Sequence, residues 1–256
     1  ITVDKTGNAI IVGYYYSGVD FNPHPTNTNA LTATGRNAFI CKLDSAGNFS
    51  WVKGIGGNLS SSLTEIYDVA LDDLGNIYTS GYSNQSATSG TLNINAGGFV
   101  VKQNATGVFI YAKANGLFQG YSMAVDKHNG IYVTGQSTSS VNNYSIQKLV
   151  AQTGNIIWTK TISSSGSNAH AHCVALDSLS NLYITGFFIG SVDFDPSGSN
   201  YNLTPLGARD SYIQKMDSGG NFVSTWQFGG TNTLGQSHVV GKGIFLENAQ
   251  NIYLTG

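Results

Sequence analysis

An all-β fold made of repeated four-stranded units is what this sequence predicts, on three observations. The strand-favouring residues Val, Ile, Thr, Tyr and Phe fill its patterned positions while proline occurs only 4 times, and no convincing amphipathic helix is present. Glycine is abundant at 32 residues, Asn, Ser and Thr are frequent, and charged residues make up only 10%, against about 25% in an average soluble domain. The surface must therefore be polar but nearly uncharged. The third observation is that the chain repeats itself.

Asp4, Asp72, Asp126, Asp177 and Glu247 each stand nine residues before a glycine, namely Gly13, Gly81, Gly135, Gly186 and Gly256. The stretch between them follows the pattern D-x-x-G-N-I-Y-V-T-G. A second anchor follows in each complete repeat. Lys42, Lys102, Lys148 and Lys215 end an apolar run and precede Gly47, Gly107, Gly154 and Gly220. Four residues further stand Trp51, Tyr111, Trp158 and Ser224, with Trp226 expected to stand in for the serine, because a shift of two keeps a strand residue on the same face.

Each repeat thus holds four strand-like segments, exemplified in order by Val-Ala-Leu-Asp at 69–72, Ile-Tyr-Val-Thr at 131–134, Phe-Ile-Cys-Lys at 39–42 and Phe-Ser-Trp-Val at 49–52. An Asp-x-x-Gly-Asn turn or a close variant joins the first two and the last two. Asp opens such a turn by accepting bonds from its own backbone, and Gly supplies the positive φ that a tight hairpin needs. Asn129-Gly130 inverts the usual order and Ser180 replaces the glycine, so those two turns are expected to differ locally. Four antiparallel strands per repeat make a β-propeller blade. The prediction is one propeller segment over 1–256, with four complete repeats and half of a fifth, starting near 1, 69, 123, 174 and 244. Ile1 falls inside a repeat, so the natural protein is expected to continue beyond both ends. Trp51, Tyr111, Trp158 and Trp226 are expected to be buried between blades, with Ala70, Ala124 and Ala175 at tight contacts near the inner strands.

Composition also excludes partners. A net charge of -2 with 12 scattered Lys and Arg residues offers no basic stripe for a phosphate backbone. No apolar run approaches the roughly 20 residues of a membrane span. Cys41 and Cys173 occupy non-equivalent places and are expected to be two separate buried thiols.

The Asp-x-x-Gly-Asn-x-Tyr-x-Thr-Gly pattern, the run from Lys42 to Trp51, and the insertions Val19-Asp20-Phe21-Asn22-Pro23 and Val192-Asp193-Phe194-Asp195-Pro196 together resemble the seven-bladed β-propeller repeat called SBBP. The resemblance covers essentially the whole chain. It implies an all-β propeller displayed outside the cell as part of a bacterial surface or secreted protein, often beside other modules and, in Bacteroidota, exported with a C-terminal sorting domain. It brings no general catalytic residues.

The chemistry-bearing residues agree with a binding or structural surface rather than an enzyme. Most of the 14 acidic residues belong to turns or insertions, whereas a polysaccharide-acting hydrolase or lyase, the alternative reading, needs carboxylates facing one cleft. Glu65 and Asp68 are the candidate pair for that alternative. His170 and His172, at i and i+2 of a strand, are metal candidates, although His172 aligns with Tyr67 and Tyr121 as an ordinary rim position. Asp20 with Asn22, and Asp193 with Asp195, resemble the start of a calcium loop; Asx-turns are the favoured reading, and no cofactor is expected. Ser45 and Ser178 follow Asp in the short Asp-Ser-apolar pattern of bacterial O-glycosylation. In a four-stranded meander, the two-to-three connection and the link to the next blade lie at one end. That end holds the insertions 18–36 and 190–209 and the links 58–64 and 163–168. Binding is expected there, through Asp20, Asn22, Arg36, Asp193, Asp195 and Arg209, to a carbohydrate, a protein or other domains of the same surface assembly. The competing reading makes the insertions hairpins that cover blade edges.

Overall fold

The computed structural model describes residues 1–138, 142–163, 167–231, 237–247 and 251–256. Among them there is no helix, and none therefore long and apolar enough to cross a membrane. The chain divides into two compact units, Ile1–Gly120 with Val150–Asn155, and Tyr121–Leu149 with Ile156–Gly256.

The first unit holds two blades. Strands β1 (Thr2–Val3), β2 (Ala9–Tyr15), β5 (Asn37–Leu43) and β6 (Phe49–Ile55) form one sheet in that order, with a small hairpin, β3 (Gly18–Asp20) and β4 (Ala30–Thr32), between its second and third strands. The next blade is β7 (Thr64–Leu71), β8 (Ile77–Ser83), β11 (Gly97–Gln103) and β12 (Phe109–Ala114), again with a hairpin, β9 (Ala87–Ser89) and β10 (Leu92–Ile94), in the same place. Ile10, Ile40, Ile55, Ile66, Ile77, Phe99 and Val101 form the buried core of this unit.

A third blade comprises β13 (Leu117–Val125), β14 (Gly130–Ser137), β15 (Tyr144–Val150) and β16 (Ile156–Ile162). The fourth is β17 (Asn168–Leu176), β18 (Leu182–Ile189), β21 (Asp210–Met216) and β22 (Phe222–Phe228), with the hairpin β19 (Val192–Asp193) and β20 (Asn202–Leu203); β23 (Gly243–Leu246) and β24 (Ile252–Thr255) make a half-blade. In the second unit Tyr132, Tyr144, Ile146, Leu182, Phe188 and Tyr212 share one core, while Tyr183, Ile213 and Ile244 join the half-blade to the fourth blade. The fold is thus an all-β propeller type with four-stranded antiparallel blades. First strands begin at Thr64, Leu117 and Asn168, five or six residues ahead of the sequence-predicted starts. A β-bulge between Ile66 and Asp68, and another between Ala171 and Cys173, breaks the alternation there and hid the upstream halves.

The acidic turns follow one plan. Asp4 Oδ1 accepts the N–H groups of Thr6 and Asn8 at 3.0 Å each, and Asp4 Oδ2 accepts Asn8 Nδ2 at 2.8 Å. Asp44, Asp72, Asp177 and Asp217 repeat all three bonds with the residues two and four places on. The residue three places on adopts positive φ, as the three-residue hairpin with a terminal bulge requires. The two exceptional turns keep this backbone: Asn129 (φ 67°) and Ser180 (φ 63°) take the glycine conformation themselves. The expectation of different turns holds only in that Gly130 has no side chain to give the Asp126 carboxylate. The corresponding turn of the half-blade, at 248–250, lies outside the described residues, as do 164–166 of the link 163–168.

Trp51 and Trp158 are half-buried and Tyr111 is buried, whereas Trp226 is 44% exposed. Register explains the failure. Lys42, Lys102 and Lys148 lie opposite Trp51, Tyr111 and Trp158, but Lys215 lies opposite Ser224. Trp226 is two residues on, about 7 Å along the strand, so the same face does not mean the same neighbours. The three aromatic residues in register meet the glycine of a later outer turn. A β-carbon added to Gly107 would lie 3.0 Å from Trp51, one on Gly154 2.7 Å from Tyr111, and one on Gly220 3.1 Å from Trp158. The anchoring lysines serve the same junctions: Lys102 Nζ donates to Ala151 O at 3.1 Å and Lys148 Nζ to Ser218 O at 3.2 Å, each ammonium resting 5.0 Å from the Tyr78 or Tyr132 ring. Ala124 and Ala175 pack half-buried against the cores. Both cysteines are free thiols; Cys41 is buried and Cys173 half-buried.

Candidate ligand-binding face

The insertion motifs build hairpins. Asp20 Oδ1 accepts the N–H groups of Asn22 and Asn29 at 3.0 and 2.9 Å, and Asp193 Oδ1 accepts those of Asp195 and Tyr201 at 3.0 and 2.8 Å. Asn22 and Asp195 continue the pattern by capping His24 N and Ser197 N. These are Asx-turns at both ends of a short hairpin, and among the described residues no three His, Cys, Asp or Glu side chains gather to hold a metal ion. Between the two capping side chains of each motif, an aromatic residue points inward. Phe21 packs on Phe39 and Tyr15 at centroid distances of 4.7 and 5.7 Å; Phe194, fully buried, packs on Tyr212 and Phe188 at 4.8 and 5.4 Å. In the first unit, hairpin β9–β10 likewise buries Ala87 and Ile94 and exchanges backbone bonds between Thr88 and Gly56. The insertions therefore wedge into blade edges. Asp20, Asn22, Asp193 and Asp195 organise those wedges.

The two arginines occupy a different kind of place. They are the only arginines in the chain, each six residues before an anchoring lysine. Arg36 pairs with the backbone of Leu63 at the start of the next blade, and Arg209 with that of His238, in parallel bridges. The Arg36 guanidinium lies 4.6 Å from the Tyr14 ring and 5.1 Å from Tyr16, bonds the Tyr16 hydroxyl, and forms an ion pair with Glu65. Glu65 Oε2 accepts the Tyr67 hydroxyl at 2.7 Å. Tyr67 is the extra residue of the β7 bulge, where the register with β8 shifts between Ile66 and Asp68.

The Arg209 guanidinium sits 4.2 Å from the Phe187 ring. His170 stacks on Phe187 at 4.7 Å, and His172, the bulge residue of β17, lies 5.4 Å from it. His172 Nδ1 donates to Gly241 O at 2.9 Å, and the histidine rings are 6.4 Å apart. Burial holds both imidazoles below their ordinary pKa, and the nearby Arg209 and Lys242 add to the effect. Nothing in the sequence marked Tyr14, Tyr16, Phe187 or Lys242 as members of these clusters; the shared offset of the two arginines from Lys42 and Lys215 was the readable signal.

The opposite end of the blades carries the acidic turns. A groove of about 510 Å³ lies there in the first unit and is lined by Asp4, Lys5, Lys42, Asp72 and Asp73 among others. Its lysines are each paired, Lys5 with Asp73 at 2.7 Å and Lys42 with Asp4 at 2.9 Å, and Asp72 Oδ2 accepts Asn76 Nδ2 and the Tyr78 hydroxyl. Burial opposes ionisation of Asp4, yet the bonds from Asn8 and Lys42 prevail and hold its carboxyl well below the usual range. Glu65 and Asp68, the candidate catalytic pair, do not line this groove; Asp68 Oδ1 accepts the N–H of Val69 at 2.8 Å. Ser45 and Ser178 are both exposed at turn tips of this end.

A family model described as the SBBP beta-propeller repeat matches the chain at residues 51–86 and 113–144. Both stretches run from the outer strand of one blade through the first two strands of the next. No curated protein matches. Among solved structures, one titled "Structure of Dos1 propeller" is 9% identical, with a TM-score of 0.37 over 93% of this chain and 78% of that one, a likeness too slight to carry an argument. Strand order and turn chemistry are those of a β-propeller, and at two places the chain matches the SBBP repeat.

Proposed function

We propose that the chain belongs to a non-catalytic binding module displayed outside the cell, which takes carbohydrate, a protein, or a neighbouring domain of the same surface assembly at the end of the blades bearing the hairpin insertions. The observation that carries this reading is the division of labour between the ends. At one end the acidic side chains are consumed by turn bonds and local ion pairs, whereas at the other two arginines are stacked on aromatic rings at equivalent repeat positions. Tyr14 and Tyr16 remain half exposed beside Arg36, a combination that suits binding of polar ligands with planar or apolar faces. The low charge, the Asn- and Gly-rich turns and the resemblance of the repeats support placement outside the cell.

The alternative, a polysaccharide-acting enzyme, draws less support, because Glu65 is tied to Arg36 and Tyr67 while Asp68 bonds its neighbour's backbone. The test is attachment to the native cell surface or glycan. Replacing Tyr14, Tyr16, Arg36 and Arg209 together by alanine should abolish attachment, and substitutions at Ser45 and Ser178 should leave it intact. Attachment that survives the first set and is lost with the second would place the binding end wrongly; turnover of a polysaccharide that disappears in Glu65→Gln would replace the reading with an enzyme.

A further inference from the structure

The two arginine sites can be compared residue by residue, because the repeat fixes equivalent positions. Glycines show the register. A β-carbon on Gly81 would overlap the carbonyl oxygen of Glu65, one on Gly186 that of His170, and one on Gly256 that of Val240. Glu65, His170 and Val240 therefore occupy the same first-strand position, and Tyr67, His172 and Lys242 the next bulge position. Counting from Gly13 and Gly186, Tyr14 corresponds to Phe187 and Tyr16 to Ile189.

Arg36 has an aromatic support, Tyr14, and two polar partners, the Tyr16 hydroxyl and the Glu65 carboxylate. Arg209 keeps the support in Phe187. Both polar partners are gone: Ile189 stands where Tyr16 would be, and Val240 where Glu65 would be. The bulge tyrosine that holds Glu65 is replaced by Lys242, which adds a positive charge. Arg209 Nε is buried with no hydrogen-bond partner, and no ion pair reaches Arg209 or Lys242 among the described residues. The carboxylate next in sequence, Asp210, is turned away to accept Leu206 N and Gln227 Nε2 at 2.8 and 2.6 Å. A buried guanidinium donor without an acceptor is costly unless an anion from outside supplies one.

We propose that Arg209 and Lys242, flanked by His170 and His172 over Phe187, form a site for the carboxylate of an acidic sugar, which takes the places that the Tyr16 hydroxyl and Glu65 hold at the Arg36 guanidinium. The planar guanidinium fits a carboxylate through two parallel bonds. The uronic-acid source is chosen on the composition of the chain as a whole, low in charge and rich in Asn, Ser and Thr, residues that offer hydrogen bonds to hydroxyl groups. This inference names the ligand class for the binding end proposed above and rests on that reading.

The test is calorimetric titration of the chain with an oligogalacturonate, a neutral galactan oligomer of equal length and a glutamate-rich peptide. The oligogalacturonate should bind with one site per chain. Val240→Glu supplies the missing carboxylate from within, so it should weaken that binding about tenfold or more, and Arg209→Gln should do the same. Val240→Glu should also leave the denaturation midpoint unchanged or raised; if that variant fails to fold, Arg209→Gln decides alone. Equal affinity for acidic and neutral oligomers, or unchanged affinity in Arg209→Gln, would overturn the inference, and binding of the peptide alone would transfer the site to a protein partner. If surface attachment still depends on the arginines while uronate does not bind, the binding end stands and only the ligand class falls.

Discussion

Trp158 and Trp226 read alike in the sequence and differ in what they touch. Trp158 packs against a core that includes Tyr132, at a ring distance of 6.2 Å, and closes on Gly220, whereas Trp226 is exposed on the outer strand and belongs to no core cluster described. Trp158→Ala should cost about 3 kcal/mol, near the lower end for large aromatic truncations because the side chain is half-buried. Trp226→Ala should stay within about 0.5 kcal/mol, as for ordinary surface positions; denaturant midpoints of the two variants check both. Acid sensitivity also follows from single residues. His170 and His172 have folded-state pKa values below their ordinary ones, so the unfolded chain takes up their protons first, and stability should begin to fall as pH drops below about 6.5. Asp4, Asp44 and Asp217 have depressed values. Their contribution is present above the unfolded value near 3.9 and is lost as pH falls below it. Denaturation measured across pH should therefore show two declines, and replacing both histidines by glutamine should remove the upper one alone. Turn acids and anchoring lysines were legible in the sequence because local chemistry dictates them; which aromatic residue fills a junction was not, since that depends on partners distant in sequence.

Elements show the same division between local and remote causes. The strand pairs were readable from Asp-x-x-Gly-Asn because the carboxylate bonds lie within five residues, but the bulges of β7 and β17 were not, since a bulge has no compositional mark. Those bulges give the repeat glycine its meaning. Gly186 lacks a positive φ, yet a β-carbon there would overlap backbone at His170. Gly47 has φ 86° and open space around it. Gly186→Ala should therefore cost more than about 2 kcal/mol by forcing β17 from β18, and Gly47→Ala only about 1 kcal/mol of backbone strain. Equal losses in thermal or chemical denaturation would mean that the approach of β17 to Gly186 is not limiting. The insertion motifs were visible as Val-Asp-Phe runs, and their Asx-turns were anticipated; that Phe194 would enter the core was not, because nothing in the motif distinguishes an inward from an outward phenylalanine.

For the molecule as a whole, the hairpin insertions belong to the frame. Replacing 193–199 by a Gly-Ser turn removes Phe194 from the core it shares with Phe188 and Tyr212 and should lower stability by about 3 kcal/mol or more, so loss of attachment in that variant would report on folding as well as on binding. Modification belongs to this scale too. We expect native material to carry a mass increment at Ser45 or Ser178, which intact-mass measurement and its loss in Ser45→Ala with Ser178→Ala would reveal. The contacts of Trp51, Tyr111 and Trp158 with glycines further along the chain share one direction, each outer strand addressing a turn later in sequence. Half of such a junction is a side chain and the other half a backbone conformation, and the first three blades each carry both halves. A tandem duplication of one unit would therefore arrive with its docking contacts already encoded on both flanks. Copy number in this architecture can change by whole units without compensating substitutions, and Ser224, where the forward aromatic is missing, marks the step at which that freedom is least protected.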